Sequence, residues 1–171
     1  MLRTTWPMPA VSNTSPLLNL AIIDHLELIR LQFEEVIIGP AVLAELKSES
    51  DLPGAASIKR ALEANWLQVV ELRSRDVACA LERDLDVGEA EAIALAVQTG
   101  SRVILMDEHD GRIIAKTMGL MPVGVLGIAL RAKHMGHLSS VETVLGALKS
   151  EAGFYVGDEL AEMILREAGE G

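Results

Sequence analysis

At 171 residues, 50% of them apolar, the chain is long enough for one domain with a full core and too short for two comfortable ones. A formal charge of −10 excludes generic attraction to nucleic acid, so any such substrate must be held by local basic residues, a metal or a partner chain. The apolar runs are shorter than a membrane span, and MLRTTWPMPA lacks the apolar block of a secretory signal, so a soluble cytoplasmic protein with no membrane partner is expected.

Short β-like runs alternate with longer helical ones, the pattern of an α/β domain. Ala10 to Ser12 reads as a brief first strand. Ser15-Pro16 then predicts a capped helix start with proline at the first helical position, running into LLNLAII. HLELIRL is helical and EEVIIG a strand. Pro40 opens the helix AVLAELK, where Glu45 projects beside the stripe of Val42, Leu43 and Leu46. After the polar turn SESDLPG come the amphipathic helix AASIKRALEANW and LQVVEL, a predicted edge strand. RDVACALERDL is helical, and its lone Cys79, with no disulfide partner, reads as a small apolar residue. Asp86-Val87-Gly88 breaks the pattern before a helix in which Ala90, Ile93, Ala94 and Val97 form a buried stripe and Gly100 ends it. SRVILMD is the clearest strand. DGRIIAKTMGL follows as a helix ended by Gly119, MPVGV as a last strand, and LGIALRAKHMG as a helix ended by Gly136. SSVETVLGALKS and DELAEMILREAGE give two more amphipathic helices, with Leu160, Met163 and Ile164 as apolar positions, while Met118, Met121 and Met135 read as core packing. The expected organisation is a leader over 1–9 and a single domain over 10–171, of which 139–171 is a helical C-terminal extension.

Four oxygen-bearing residues lie where an open parallel sheet gathers its chemistry, at strand ends and the helices that follow them: Asn13, Glu45, Glu89 and Asp107. Three carboxylates and an amide suit a hard divalent cation. Glu89 and Glu91 are two apart on one helix and point in different directions, so a single site takes one of them. Glu89, in the first turn, is the choice, and Glu91 reads as favourable charge at a helix N-terminus. His109 reads as a solvated loop residue, and HMGH straddles a terminating glycine and is no zinc site. Thr14 and Ser15 are placed to contact a phosphate oxygen, although capping is the competing occupation.

The strings VSNTSPLLNLA, IIGPAVLAEL, LDVGEAEAIALAVQTG, VILMDEHDGRIIAKTMGL and VGVLGIALRAKHMG, in this order from Val11 to Gly136, resemble the PIN domain superfamily. The likeness is to its PIN-like branch of uncharacterised predicted nucleic-acid-binding proteins. It implies a three-layer α/β/α fold with a central parallel sheet, and an acidic pocket for Mg2+ or Mn2+. It also implies a nuclease specific for single-stranded RNA, with many small relatives serving as toxins neutralised by a small antitoxin-like protein. By position the resemblance carries the family's four acids onto Asn13, Glu45, Glu89 and Asp107. The usual first residue is aspartate, so Asn13 keeps an oxygen donor but not its charge, and weaker metal binding is expected. The competing function is a catalytically silent PIN-like module that binds RNA or a protein. A phosphatase or receiver domain fits poorly: DEHD has the wrong spacing for an aspartate pair, and Ser12-Asn13-Thr14 stands where a receiver needs clustered acids. The amphipathic C-terminal helices suit a homodimer.

Overall fold

The computed structural model describes residues 9–171, so the expected leader lies almost wholly outside the described residues. Five parallel strands, β1 (Ala10–Ser12), β2 (Val36–Ile38), β3 (Leu67–Val69), β4 (Val103–Leu105) and β5 (Met121–Val123), form one sheet in the order β3-β2-β1-β4-β5. LQVVEL is therefore an edge strand, as its sequence predicts. The runs VII and VIL, and AVS up to its final serine, are apolar on both sides because a parallel sheet is covered on both faces.

Ten helices are assigned among the described residues: α1 (Thr14–Ile22), α2 (Glu27–Phe33), α3 (Pro40–Leu46), α4 (Ala55–Glu63), α5 (Asp76–Leu81), α6 (Val87–Thr99), α7 (His109–Thr117), α8 (Val125–His134), α9 (Val141–Ser150) and α10 (Asp158–Glu167). Strand alternation sends Ala10, Val36, Ile38 and Leu105 into a core with α1, α2, α4 and α8. Val11 and Ile104 point the other way, into a core with α6 and α7. Two helical layers thus sandwich the sheet, the α/β/α architecture expected. Phe33, fully enclosed in the larger core, is the kind of side chain whose truncation to alanine costs about 3–5 kcal/mol. A third cluster of Val141, Ile164 and Ala168 joins α9 and α10 to α8. Glu170 fastens it, accepting the Val141 N–H at 2.8 Å and facing Lys133 Nζ at 3.8 Å.

Several local expectations change. Helix α1 begins at Thr14, with Asn13 as N-cap, so Pro16 occupies the third helical position rather than the first. Helix α6 begins at Val87, because the apparent break at Asp86-Val87-Gly88 is a capping box: Glu89 N–H donates to Asp86 Oδ1 at 2.8 Å and Asp86 N–H to Glu89 Oε2 at 3.2 Å. That helix is buried on every face from Gly88 to Ala96, while Val97, placed in the stripe, is exposed. Cys79 is exposed, and Ala78 is the buried residue of α5. Leu160 and Met163 are exposed although Ile164 is buried, and Met118 and Met121 stand at the surface rather than in the core. No helix among the described residues is long and apolar enough to cross a membrane.

Candidate active site

The chain leaves β1 in one direction to build β2 and β3, then returns to pair β4 on the other side of β1. The two connections diverge between β1 and β4, which is the topological switch point where open α/β sheets bind ligands. Asn13 follows β1 and Asp107 follows β4. Ser12 is in register with Leu105, and Asn13 N–H donates to Leu105 O at 2.9 Å, which holds the two strand ends side by side.

Asp107 Oδ1 accepts the Val125 N–H at 3.0 Å, at the head of α8. The N-cap of that helix is Gly124, which has no side chain to cap with. A Cβ at Gly124 would stand 2.6 Å from Asp107 Oδ1, so the glycine also makes room for the carboxylate. Asp107 Oδ2 is buried with no hydrogen-bond partner. Burial pushes its pKa up to about 6, with the Glu108 charge adding to the rise; the Val125 N–H and the Arg112 guanidinium pull the other way. Asn13 is 3% exposed, and its Oδ1 is likewise buried and unpartnered. Its amide does not cap α1: Nδ2 donates to Glu108 Oε2 at 3.1 Å.

Thr14 and Ser15 do not cap their helix either. Thr14 Oγ1 donates to Glu45 Oε2 at 2.7 Å, and Ser15 Oγ donates to Glu108 Oε1. Glu45 thus reaches the β1 end rather than pairing with Lys47 or Lys59, and Lys59 binds Glu49 instead. Gly88 clears its path, since a Cβ there would lie 2.5 Å from Glu45 Oε1. Glu89 is 8% exposed. Its pKa is raised, first by burial and further by the charges of Asp86, Glu108 and Asp110, against the lowering by its bond to the Asp86 amide.

Glu91 goes elsewhere. It is buried, and its carboxylate accepts the Ala41 N–H at 3.0 and 3.2 Å and the Val42 N–H at 3.4 Å. The helix terminus it serves is therefore that of α3, not its own. The α3 N-cap, Gly39, has no side chain, and a Cβ there would fall 2.0 Å from Glu91 Oε1. His109 is exposed at the start of α7. His134 meets the Glu167 carbonyl at 3.1 Å, and His137 is exposed, so neither pairs into a zinc site.

Hydrogen bonds thus tie Glu45 to Thr14 and Asn13 to Glu108 at the β1 end, whereas Glu89 and Asp107 meet this group only through the charge of Glu108. Glu108, which joins Asn13 to Ser15, was legible only as one of the acids crowding DEHD. Among the described residues no three His, Cys, Asp or Glu side chains are grouped closely enough to hold a metal ion. The donor chemistry nevertheless fits a hard dication: two buried oxygens without partners, Asn13 Oδ1 and Asp107 Oδ2, at adjacent strand ends, with further carboxylates around them.

An α/β/α domain with acidic side chains at its switch point is the class that fold and geometry define. Over residues 9–170 the sequence matches the family DUF3368, described as a PIN domain. The chain belongs to this PIN domain family, whose members are generally nucleases and typically bind a divalent metal. No curated protein and no solved structure matches it.

Proposed function

We propose that the chain is a metal-dependent ribonuclease that hydrolyses phosphodiester bonds of single-stranded RNA, acting as the toxin of a toxin and antitoxin pair. The observation that carries this reading is the pair of buried, unpartnered oxygens on Asn13 and Asp107 at the switch point of a PIN domain. Asn13, Glu45, Glu89 and Asp107 would hold Mg2+ or Mn2+, which when bound supplies Lewis acidity toward a phosphate oxygen and lowers the pKa of the attacking water. Asp107 must be ionised to serve, so the rise of its pKa to about 6 ties ligand competence to pH. Glu45 sits on the exposed side of α3, where its carboxylate would orient the water. Thr14 and Ser15, now donating to Glu45 and Glu108, would redirect their hydroxyls to a phosphate oxygen. Water adds to phosphorus, one P–O ester bond breaks, and the products are a phosphate end and a hydroxyl end.

The second reading, a silent module that binds RNA or a protein, is favoured by two specific observations. The Asn13 amide is engaged with Glu108 rather than contributing charge, and the acids are not gathered as a metal cage. An assay on single-stranded RNA with Mn2+ separates the two, with Asp107→Asn as control. Cleavage lost in the variant supports the nuclease. Saturable metal binding without cleavage supports the silent module, and cleavage undiminished in the variant reports a contaminant. The toxin role is tested by co-expression with the product of any adjoining reading frame, expecting a complex in which cleavage is suppressed.

A further inference from the structure

A cavity of about 570 Å³ opens from Asp107 along the β5 edge of the sheet, toward Phe154 and Tyr155 in the loop before α10. The chain has only two Phe, two Trp and one Tyr, and two of these aromatics line this one groove. Tyr155 is 87% exposed, by a wide margin the most exposed large apolar side chain among the described residues. An aromatic ring left in water beside a cavity is unexplained by packing. The residue before it is anchored: Phe154 N–H donates to Leu148 O at 2.9 Å, and Phe154 packs partly into the core.

From these observations we infer that the groove is a subsite for an unpaired nucleobase of the RNA strand, stacked on Tyr155 against Phe154; this rests on the nuclease reading above. The volume falls in the range of small-ligand pockets, about 300–1,000 Å³, and admits a base with its ribose. Stacking on an exposed aromatic platform is how proteins hold single strands without reading sequence. Arg112 also lines the groove, beside Asp107. Its Nη1 spends one hydrogen bond on Met106 O at 2.9 Å, and the guanidinium keeps further donors for the phosphate that joins the bound base to the reaction centre. In a chain of net charge −10, such a local cation and a stacking surface supply the hold that bulk charge does not. A protein partner, or a second copy, laid over the exposed Met121 and Leu160 would desolvate the Arg112 guanidinium, a cost that a nucleotide phosphate offsets by accepting its hydrogen bonds.

The test is fluorescence anisotropy of a labelled single-stranded RNA oligonucleotide of mixed sequence, with calcium present, beside a sugar-phosphate strand of equal length lacking bases. The full chain is compared with Tyr155→Ala and Tyr155→Phe, substitutions at a surface side chain. Tyr155→Ala is expected to weaken RNA binding about tenfold, Tyr155→Phe to stay within about twofold, and neither to alter the baseless strand. Unchanged RNA affinity in Tyr155→Ala, or equal losses on both strands, overturns the inference. So does wild-type protein that binds no RNA, or a Tyr155→Ala effect confined to sedimentation behaviour, which assigns the groove to a second copy. Tyr155-dependent binding by a protein that cleaves nothing sinks the nuclease reading and leaves the base subsite standing.

Discussion

Burial holds the Asp107 carboxyl at a pKa of about 6 instead of 3.8, even with the Val125 N–H and Arg112 favouring its charge. Below 3.8 the folded and unfolded chains both carry the proton, and nothing is lost. Between 3.8 and about 6 the unfolded chain ionises first, and above about 6 the folded chain bears the full cost, about 3 kcal/mol at 1.36 kcal/mol per unit. Glu89 and Glu91, raised chiefly by burial, act with the same sign. Thermal melts in a chelator should therefore show stability falling as pH rises through this window. Asp107→Asn should flatten the fall and melt above wild type at neutral pH; a variant that melts lower there refutes the assignment. Asn13 makes the opposite case. Its Nδ2 bond to Glu108 becomes a clash of two carboxylates in Asn13→Asp. The metal-free variant should lose about 1–3 kcal/mol, while its Mn2+ affinity should rise by about tenfold, or 1.4 kcal/mol. Parallel melts and titrations check both signs.

At the scale of elements, the site depends on helix heads being capped from outside. Helices α3 and α8 both start after a glycine, and each borrows a carboxylate from another segment: Glu91 from α6 for α3, and Asp107 from the end of β4 for α8. On the proposed reading Glu91 is thereby a positioning residue, since α3 carries Glu45. Glu91→Ala leaves one buried and one half-buried donor at the α3 head unsatisfied and should cost about 2 kcal/mol in denaturant melts. A loss within error would show that the cap is dispensable. Helix and strand identity was readable because the apolar periods of VILMD, AVLAELK and ALAV are unambiguous. The borrowed caps were not, because a donor and acceptor 50 or 18 residues apart leave no local pattern. The capping box at Asp86 was within reach, since Asp and Glu stand three residues apart, but Gly88 inside it reads as a breaker. Surface and core also separated poorly in the C-terminal helices: the stripe of Leu160, Met163 and Ile164 is amphipathic, yet only Ile164 finds a partner in α9.

For the whole molecule, sheet order makes the site. Crossing back from β3 to β4 brings the ends of β1 and β4 together, and with them Asn13 and Asp107, from positions 94 residues apart in number. The motifs VSN and VILMD marked these strand ends in the sequence, but the bridging role of Glu108 and the groove toward Tyr155 required the packed chain. The central claim is that this end of the sheet captures a dication despite the missing first acid. Calorimetric titration of the metal-free protein with Mn2+, wild type against Asp107→Asn, tests it most directly. Saturable binding at one class of site that disappears in Asp107→Asn is the result expected; no saturable binding in wild type, or the same isotherm for both proteins, contradicts it.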